Sequence, residues 1–272
     1  MNLCSLKAKS HGKKVGLVPT MGALHEGHLS LVAAAKKKSD LVVVSIFINP
    51  LQFGPSEDFS RYPRDLKKDK KLLTDLGVDV LFLPEAAKMF PEGFKTYVDV
   101  EGLSKKLCGR SRPEHFRGVA TVIAKLLNIV MPDSTFFGAK DYQQAKIIEQ
   151  MVKDLNFPVE IAVEPTVREF DGVAISSRNR YLNPQERKTA AIINRALTQA
   201  QEEIAKGEKD LNRIMLKIRS LLGSEAGLRL DYLSAVHPAT LEELRAVKGE
   251  VVIALAAHIG KTRLIDNIII KT

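Results

Sequence analysis

The sequence predicts an α/β protein: a doubly wound parallel sheet in the N-terminal part, followed by a smaller α+β domain. Three observations predict it. Short apolar runs rich in β-branched residues alternate with helical patterns through the first two-thirds of the chain, the rhythm of strands buried on both faces with helices between them. After Tyr181 the texture changes to successive helical patterns and then successive strands. The chain has 272 residues, 45% of them hydrophobic, which is apolar material for one large core or two modest ones.

In chain order, residues 15–19 and 41–48 read as buried parallel strands with a helix over 29–37 between them. A helix over 65–76, stopped by Gly77, feeds a strand over 78–83. Residues 97–100 read as a further strand, 119–130 as a buried helix ended by Pro132, and 134–137 as a strand. A helix over 141–155 and a strand over 159–163 complete the alternation. Asp171-Gly172, between 167–170 and 173–176, is the strongest hairpin signal in the chain. Asn183-Pro184 opens a helix that runs to about Lys206, because proline suits the first helical position. A second helix covers 211–222, and strands over 230–236, 251–257 and 263–269 form a small sheet. The composition shift divides the chain into residues 1–177 and 178–272.

Composition narrows the function classes. Only Cys4 and Cys108 are present, which argues against a disulfide framework and fits a reducing, cytoplasmic setting. No apolar run approaches the roughly 20 residues of a membrane span, and no apolar signal core follows Lys7, Lys9, Lys13 and Lys14. The formal net charge of +9 suits nucleic acid or a small anion such as ATP. Its cations are spread along the chain without a nucleic-acid module, as at Lys67-Lys68 and Lys70-Lys71 on a solvated helix, so a small anionic partner is expected and nucleic acid is not.

The most informative chemistry is His25 and His28, in a glycine-containing turn between a strand and a helix. The first turn of such a helix exposes unpaired N–H groups that attract phosphate, and imidazoles charged near neutral pH add to that attraction. His11, His237 and His258 read as structural or solvated. Zinc is not expected: the string His-Glu-Gly-His is one residue short of H-E-x-x-H, and no third ligand lies nearby. Three further segments fall at strand ends or loops: 47–64, 138–144 and 175–179. Lys140 offers a point charge, Ser176, Ser177 and Arg178 offer donors for a polyphosphate, and Asn49 and Gln52 offer amides for a polar organic substrate. In an open parallel sheet such strand ends converge on one cleft. Commoner nucleotide motifs fail on spacing: residues 15–22 lack G-x-G-x-x-G, and Gly260-Lys261-Thr262 has Leu255 where a P-loop needs its first glycine.

The segments PTMGALHEGH, SIFINPLQFGPSEDFSRYPR, HFRGV, FFGAKDYQQ and AISSRNRYL together resemble the pantoate–β-alanine ligase family, over nearly the whole chain from Lys14 to the LIDN segment. The His25-x-Gly-His28 element alone is shared with the wider HxGH nucleotidylyltransferase superfamily. The resemblance implies a Rossmann-like catalytic domain over 1–177 and a lid over 178–272. It implies a homodimer and an ATP- and Mg²⁺-dependent reaction in which D-pantoate is adenylated and then captured by β-alanine.

Carried over by position, ATP would meet Met21, Gly22, Ala23, Leu24, His25, Glu26, Gly27 and His28, then Gly138, Ala139, Lys140 and Asp141, then Val167, Ile175, Ser176, Ser177 and Arg178. His25, His28 and Lys140 would be catalytic, with His28 at the family's proton-donor position. Gln52 and Gln144 would hold pantoate, Gln52 would also meet β-alanine, and Asn49 and Tyr62 would belong to the same wall. Arg112, His115 and Arg117 would be secondary. The chain departs from the family at Glu114, where glycine is expected, and in its short lead of residues 1–13, where a helix is expected to be shortened or replaced.

Overall fold

The apolar runs form β1 (Val15–Thr20), β2 (Leu41–Ile46), β3 (Val80–Phe82), β4 (Ser134–Gly138) and β5 (Glu160–Glu164). These pair in parallel in the order β3-β2-β1-β4-β5. The computed structural model describes residues 1–55 and 57–272. Val42, Val43 and Val44 in β2, and Val15, Leu17 and Val18 in β1, are almost wholly buried, as strands covered on both faces must be. Strand order reverses between the neighbours β1 and β4, so the loops leaving their carboxyl ends flank a topological switch point, where such sheets bind ligands.

The helices up to residue 154 are α1 (Asn2–Ser10), α2 (Glu26–Lys38), α3 (Leu66–Asp75), the single turns α4 (Ala86–Met89) and α5 (Cys108–Ser111), α6 (His115–Val130) and α7 (Tyr142–Asp154). Eleven of the sixteen residues of α6 are buried, which makes it the internal helix that its apolar sequence predicts. α3 starts where Asp65 accepts the Lys68 N–H at 3.0 Å, a side-chain cap. α1 is closed by the His11 ring against the Lys7 carbonyl at 2.7 Å.

Two expectations need correction. Residues 97–100 are not a strand: the Val98 N–H donates to Thr121 Oγ1 of α6 at 3.0 Å, so a helix side chain satisfies the backbone that a neighbouring strand would have paired. The helix predicted from Leu29 begins at Glu26, because the His25 carbonyl already accepts the N–H groups of His28 and Leu29.

By packing, the chain divides into two units. One comprises Met1–Ser104, Arg112–Ala139 and Gln144–Pro165; the other comprises Lys105–Ser111, Lys140–Gln143 and Thr166–Thr272. In the second, α8 (Pro184–Ala205) opens with a reciprocal capping box between Asn183 and Glu186, and α9 (Leu211–Gly223) opens on Asp210. β6 (Leu228–Val236), β7 (Val251–Ile259) and β8 (Thr262–Ile270) make an antiparallel sheet with β7 in the middle. Ile193, Leu197, Ile214 and Ile218 of the helices pack with Ile253, Leu255 and Ala257 of β7 into its core. Gly260 and Lys261 are the tight turn joining β7 to β8. Among the described residues, no helix is long and apolar enough to cross a membrane.

Candidate active site

β1 ends at Thr20, and the chain passes through Met21, Gly22, Ala23 and Leu24 to His25, which is the N-cap of α2. His28 lies in that helix's first turn, and the two imidazoles stack with ring centroids 4.0 Å apart at 29°. Gly27 permits this, because a Cβ there would stand 3.2 Å from the His25 ring. The loop is pinned from below. Thr20 Oγ1 donates to the Ser45 carbonyl at 2.8 Å and accepts the Gly22 N–H at 3.2 Å. The Asp69 carboxylate accepts the Ala23 and Leu24 N–H groups at 2.9 and 2.8 Å.

A second wall leaves the carboxyl end of β2. Asn49 caps the short turn Pro50–Gln52 through the Leu51 N–H, and its Nδ2 donates to Gln52 Oε1 at 3.1 Å and to the Gly118 carbonyl at 3.0 Å. Gln52 is 9% exposed; with its oxygen taken by Asn49, its Nε2 lies 3.0 Å from Met21 Sδ and is the end that faces the histidine loop. Tyr62 is buried on the same side, edge-on to Phe53. The adjacent glutamines of α7 differ in kind. The Gln143 amide is structural, accepting the Cys108 N–H and donating to the Lys106 carbonyl. Gln144 is half-buried, and no hydrogen bond commits its amide among the described residues.

Gly138 ends β4, and Ala139–Asp141 form a 3-10 turn ahead of α7. Within the second unit, Lys140 Nζ lies 3.8 Å from Asp141 Oδ1, and the Lys140 carbonyl accepts from Asn267 Nδ2 at 2.9 Å. The Asp171-Gly172 turn closes a short hairpin, with Arg168 bridged to Ala174 and the Ile175 N–H on the Val167 carbonyl at 3.0 Å. Ser176 then caps the turn Ser177–Tyr181 by accepting the Arg178 N–H at 3.3 Å.

A protein-family model described as pantoate-beta-alanine ligase matches residues 2–269. The chain belongs to the pantoate–β-alanine ligase family. It is 56% identical over 261 residues to the pantothenate synthetase of Thermoanaerobacter sp. (strain X514), covering 96% of this chain and 92% of that protein. It is 54% identical over 263 residues to the pantothenate synthetase of Acetivibrio thermocellus, covering 97% and 94%. Its fold is similar to the crystal structure of the pantoate–β-alanine ligase (pantothenate synthetase) from Thermus thermophilus, with a TM-score of 0.92 at 48% identity over 94% of this chain and 92% of that one. The pantoate–β-alanine ligase of Francisella tularensis, complexed with beta-gamma ATP and beta-alanine, matches with a TM-score of 0.80 at 38% identity, over 97% and 93%. Family membership establishes an ATP-dependent ligase that joins pantoate to β-alanine.

Several groups in this ligase have partners that the sequence does not name. Arg112 forms a two-pronged pair with Glu57, at 2.5 and 2.6 Å, and both are largely buried. Arg112 also bonds His115 Nε2 at 3.0 Å, and His115 Nδ1 meets the Gln52 carbonyl at 2.7 Å. The network therefore clamps the backbone of the residue whose amide forms the wall. Arg117 lies apart from it, over the Tyr97 ring and paired with Glu114. Glu114 itself has φ +67, the left-handed region, which gives glycine a backbone reason at that place; its carboxylate is 70% exposed. In the second unit, Asp266 and Asn267 of the LIDN segment take a parallel supporting role. The buried Asp266 carboxylate holds Arg168 at 2.6 and 3.0 Å, at the base of the hairpin, while Asn267 holds the Lys140 carbonyl. The sequence signals for these were a charged tract and a segment end, neither of which names a partner.

Burial alone would raise the Glu57 carboxyl, but the Arg112 bonds and charge outweigh it and hold the group below its ordinary value. A depressed folded-state value stabilises the fold above the unfolded glutamate value of about 4.3 and loses that contribution as pH falls through the folded value. Glu57→Gln is therefore expected to lower stability at pH 7 by about 2 kcal/mol, less than for a fully dry pair because water reaches the carboxylate. Denaturant melts of both proteins from pH 7 down to pH ~3 should show the gap closing in acid. A gap independent of pH would mean that the charge is not what holds Arg112.

Proposed function

We propose that this ligase works through a pantoyl adenylate and that the loop 21–28 carries the phosphates of ATP. The observation that supports this most is the stacked His25–His28 pair on the first turn of α2, beside the reversal of strand order. A helix start supplies N–H donors and a favourable dipole for anions, and imidazoles there can stabilise the charge that develops on the α-phosphate. In the first step a pantoate carboxylate oxygen bonds to the α-phosphorus, and the bond from that phosphorus to pyrophosphate breaks. In the second, the β-alanine nitrogen bonds to the acyl carbon, AMP departs with the bridging oxygen, and the amine gives up a proton. His28 stands at the family's proton-donor position; transition-state electrostatics is the role we assign to both histidines, with Lys140 as a further cation.

Gly138, Lys140 and Asp141 then meet ribose and phosphate, Val167 meets adenine through its backbone, Ser176, Ser177 and Arg178 meet the polyphosphate, and Ala139 and Ile175 line the same ATP site. Gln52 and Gln144 hold pantoate, and Gln52 also faces the entering β-alanine; the donor end of Gln52, set by Asn49, suits a carboxylate or hydroxyl. Mg²⁺ enters as part of the Mg-ATP substrate. Among the described residues no three His, Cys, Asp or Glu side chains gather to hold a metal, and Mg²⁺ is commonly carried on substrate phosphates with few protein ligands. A catalytic part over 1–177, a lid over 178–272, a homodimer and a cytoplasmic setting belong to the same reading.

The test mixes protein, Mg-ATP, D-pantoate and β-alanine and follows pyrophosphate, AMP and pantothenate. Pyrophosphate release that needs pantoate but not β-alanine supports the adenylate; AMP release independent of pantoate overturns it. Gln52→Ala should raise the KM for pantoate at least about 10-fold, the loss of one or two buried hydrogen bonds, with the KM for ATP nearly unchanged. An equal loss for ATP would place Gln52 elsewhere.

A further inference from the structure

Asp69 takes no part in the chemistry described so far, yet it is among the most buried charged groups of the molecule, 2% exposed on a helix whose neighbouring Lys67, Lys68, Lys70 and Lys71 are all in solvent. Its two oxygens are aimed inward, one at the Ala23 N–H and one at the Leu24 N–H. Both donors lie in the turn between β1 and α2, where Gly22 and Ala23 take left-handed φ values of +81 and +52. Ala23 is not glycine, so its backbone is strained and persists only where the surroundings impose it. Those surroundings are Asp69 from one side and Thr20 Oγ1 on the Gly22 N–H from the other. Leu24 is the residue immediately before His25, so the direction in which the chain enters the N-cap is set by the same carboxylate.

We propose that Asp69 is a positioning residue for catalysis: it fixes the left-handed turn through Ala23 and Leu24 and so holds His25 and His28 in their stacked arrangement before ATP binds. The inference rests on reading 21–28 as the ATP loop. The physical logic is preorganisation. Charge-assisted bonds to two adjacent N–H groups leave the loop little freedom, so binding ATP does not have to order it. Amide in place of carboxylate breaks this, because a carboxamide presents one acceptor and one donor to two N–H groups, and the donor opposes one of them.

Three enzymes decide it: Asp69→Asn, His28→Ala and the double variant, each assayed for pantoate-dependent pyrophosphate release. Asp69→Asn is expected to lower kcat about 10²-fold, the cost of a misplacement on the order of 1 Å, with the KM for pantoate within about twofold. Because Asp69 acts through the histidine loop, the double variant should fall little below His28→Ala alone, whereas a general structural defect would multiply the two losses. An unaltered kcat in Asp69→Asn, or multiplied losses in the double variant, overturns the proposal. If His28→Ala itself retains full activity, the reading of the loop has failed instead. A further measurement needs no variant: amide hydrogen exchange of the wild-type enzyme should protect Ala23 and Leu24 as well as β1, and loop-like exchange there would sink the role.

Discussion

His28→Ala is expected to lower pantoyl adenylate formation about 10²–10³-fold, the loss measured for single donors that face developing charge, while leaving the fold in place. His25→Ala should behave alike. The two rings are stacked on each other at the start of α2, where they contribute little to the apolar core formed by Val18, Leu31, Val32 and Val44. Removal of either ring therefore costs packing over a small area but removes a group that faces phosphate in the proposed complex. Pyrophosphate release under saturating Mg-ATP and pantoate measures the rate, and circular dichroism with a thermal melt measures the fold. Ring stacking adds a distinguishing feature. Because the two rings touch, their effects are coupled, and the double variant should lose less than the product of the single losses. A folded His28→Ala enzyme that adenylates pantoate at the wild-type rate would remove the central element of the proposed mechanism.

The parallel sheet was legible because a strand buried on both faces shows little polar side: Leu41 to Val44 and Val15 to Val18 announce themselves as continuous apolar runs. Residues 97–100, strand formers apart from Asp99, invite the same reading and are no strand, since the Val98 N–H is taken by Thr121 on a helix, a tertiary fact that four residues cannot encode. The histidine pair was legible because its chemistry is local, two rings and a glycine within four residues at a helix start. Asp69 was not. Its sequence neighbourhood, Leu66-Lys67-Lys68-Asp69-Lys70-Lys71, reads as a solvated helix, and only the packing of α3 turns the one carboxylate inward. The same holds for Glu57 and its pairing with Arg112, two residues far apart in the chain and joined only by the fold. What the sequence conceals here is the supporting layer beneath the reactive groups, because support is defined by distance in space and not by spacing along the chain.

Gly118→Ala carries the second large effect, and it runs against helix propensity. Gly118 lies inside α6, where alanine is normally favoured by about 1 kcal/mol. The added methyl would stand 2.7 Å from the Gln52 nitrogen and closer still to the Leu51 carbonyl. These are backbone atoms, so no rotamer change relieves the overlap. α6 is the internal helix, fixed by its many buried residues, so the Pro50–Gln52 turn must yield. Its retreat stretches the Asn49 bonds to the Gly118 carbonyl and to Gln52 Oε1, and with them the orientation of the Gln52 amide. The expected result is a net destabilisation of about 1–3 kcal/mol, typical of overpacking, with the KM for pantoate raised about 10-fold or more, as befits a loss of about 1.4 kcal/mol of binding, and the KM for ATP changed far less. Gly223→Ala, at the end of α9 with nothing within 4 Å of the new methyl, is the control and should be neutral or slightly stabilising. A Gly118→Ala enzyme as stable as the control, with an unchanged pantoate KM, would show that the turn carrying Gln52 is free to move and that α6 is not what places it.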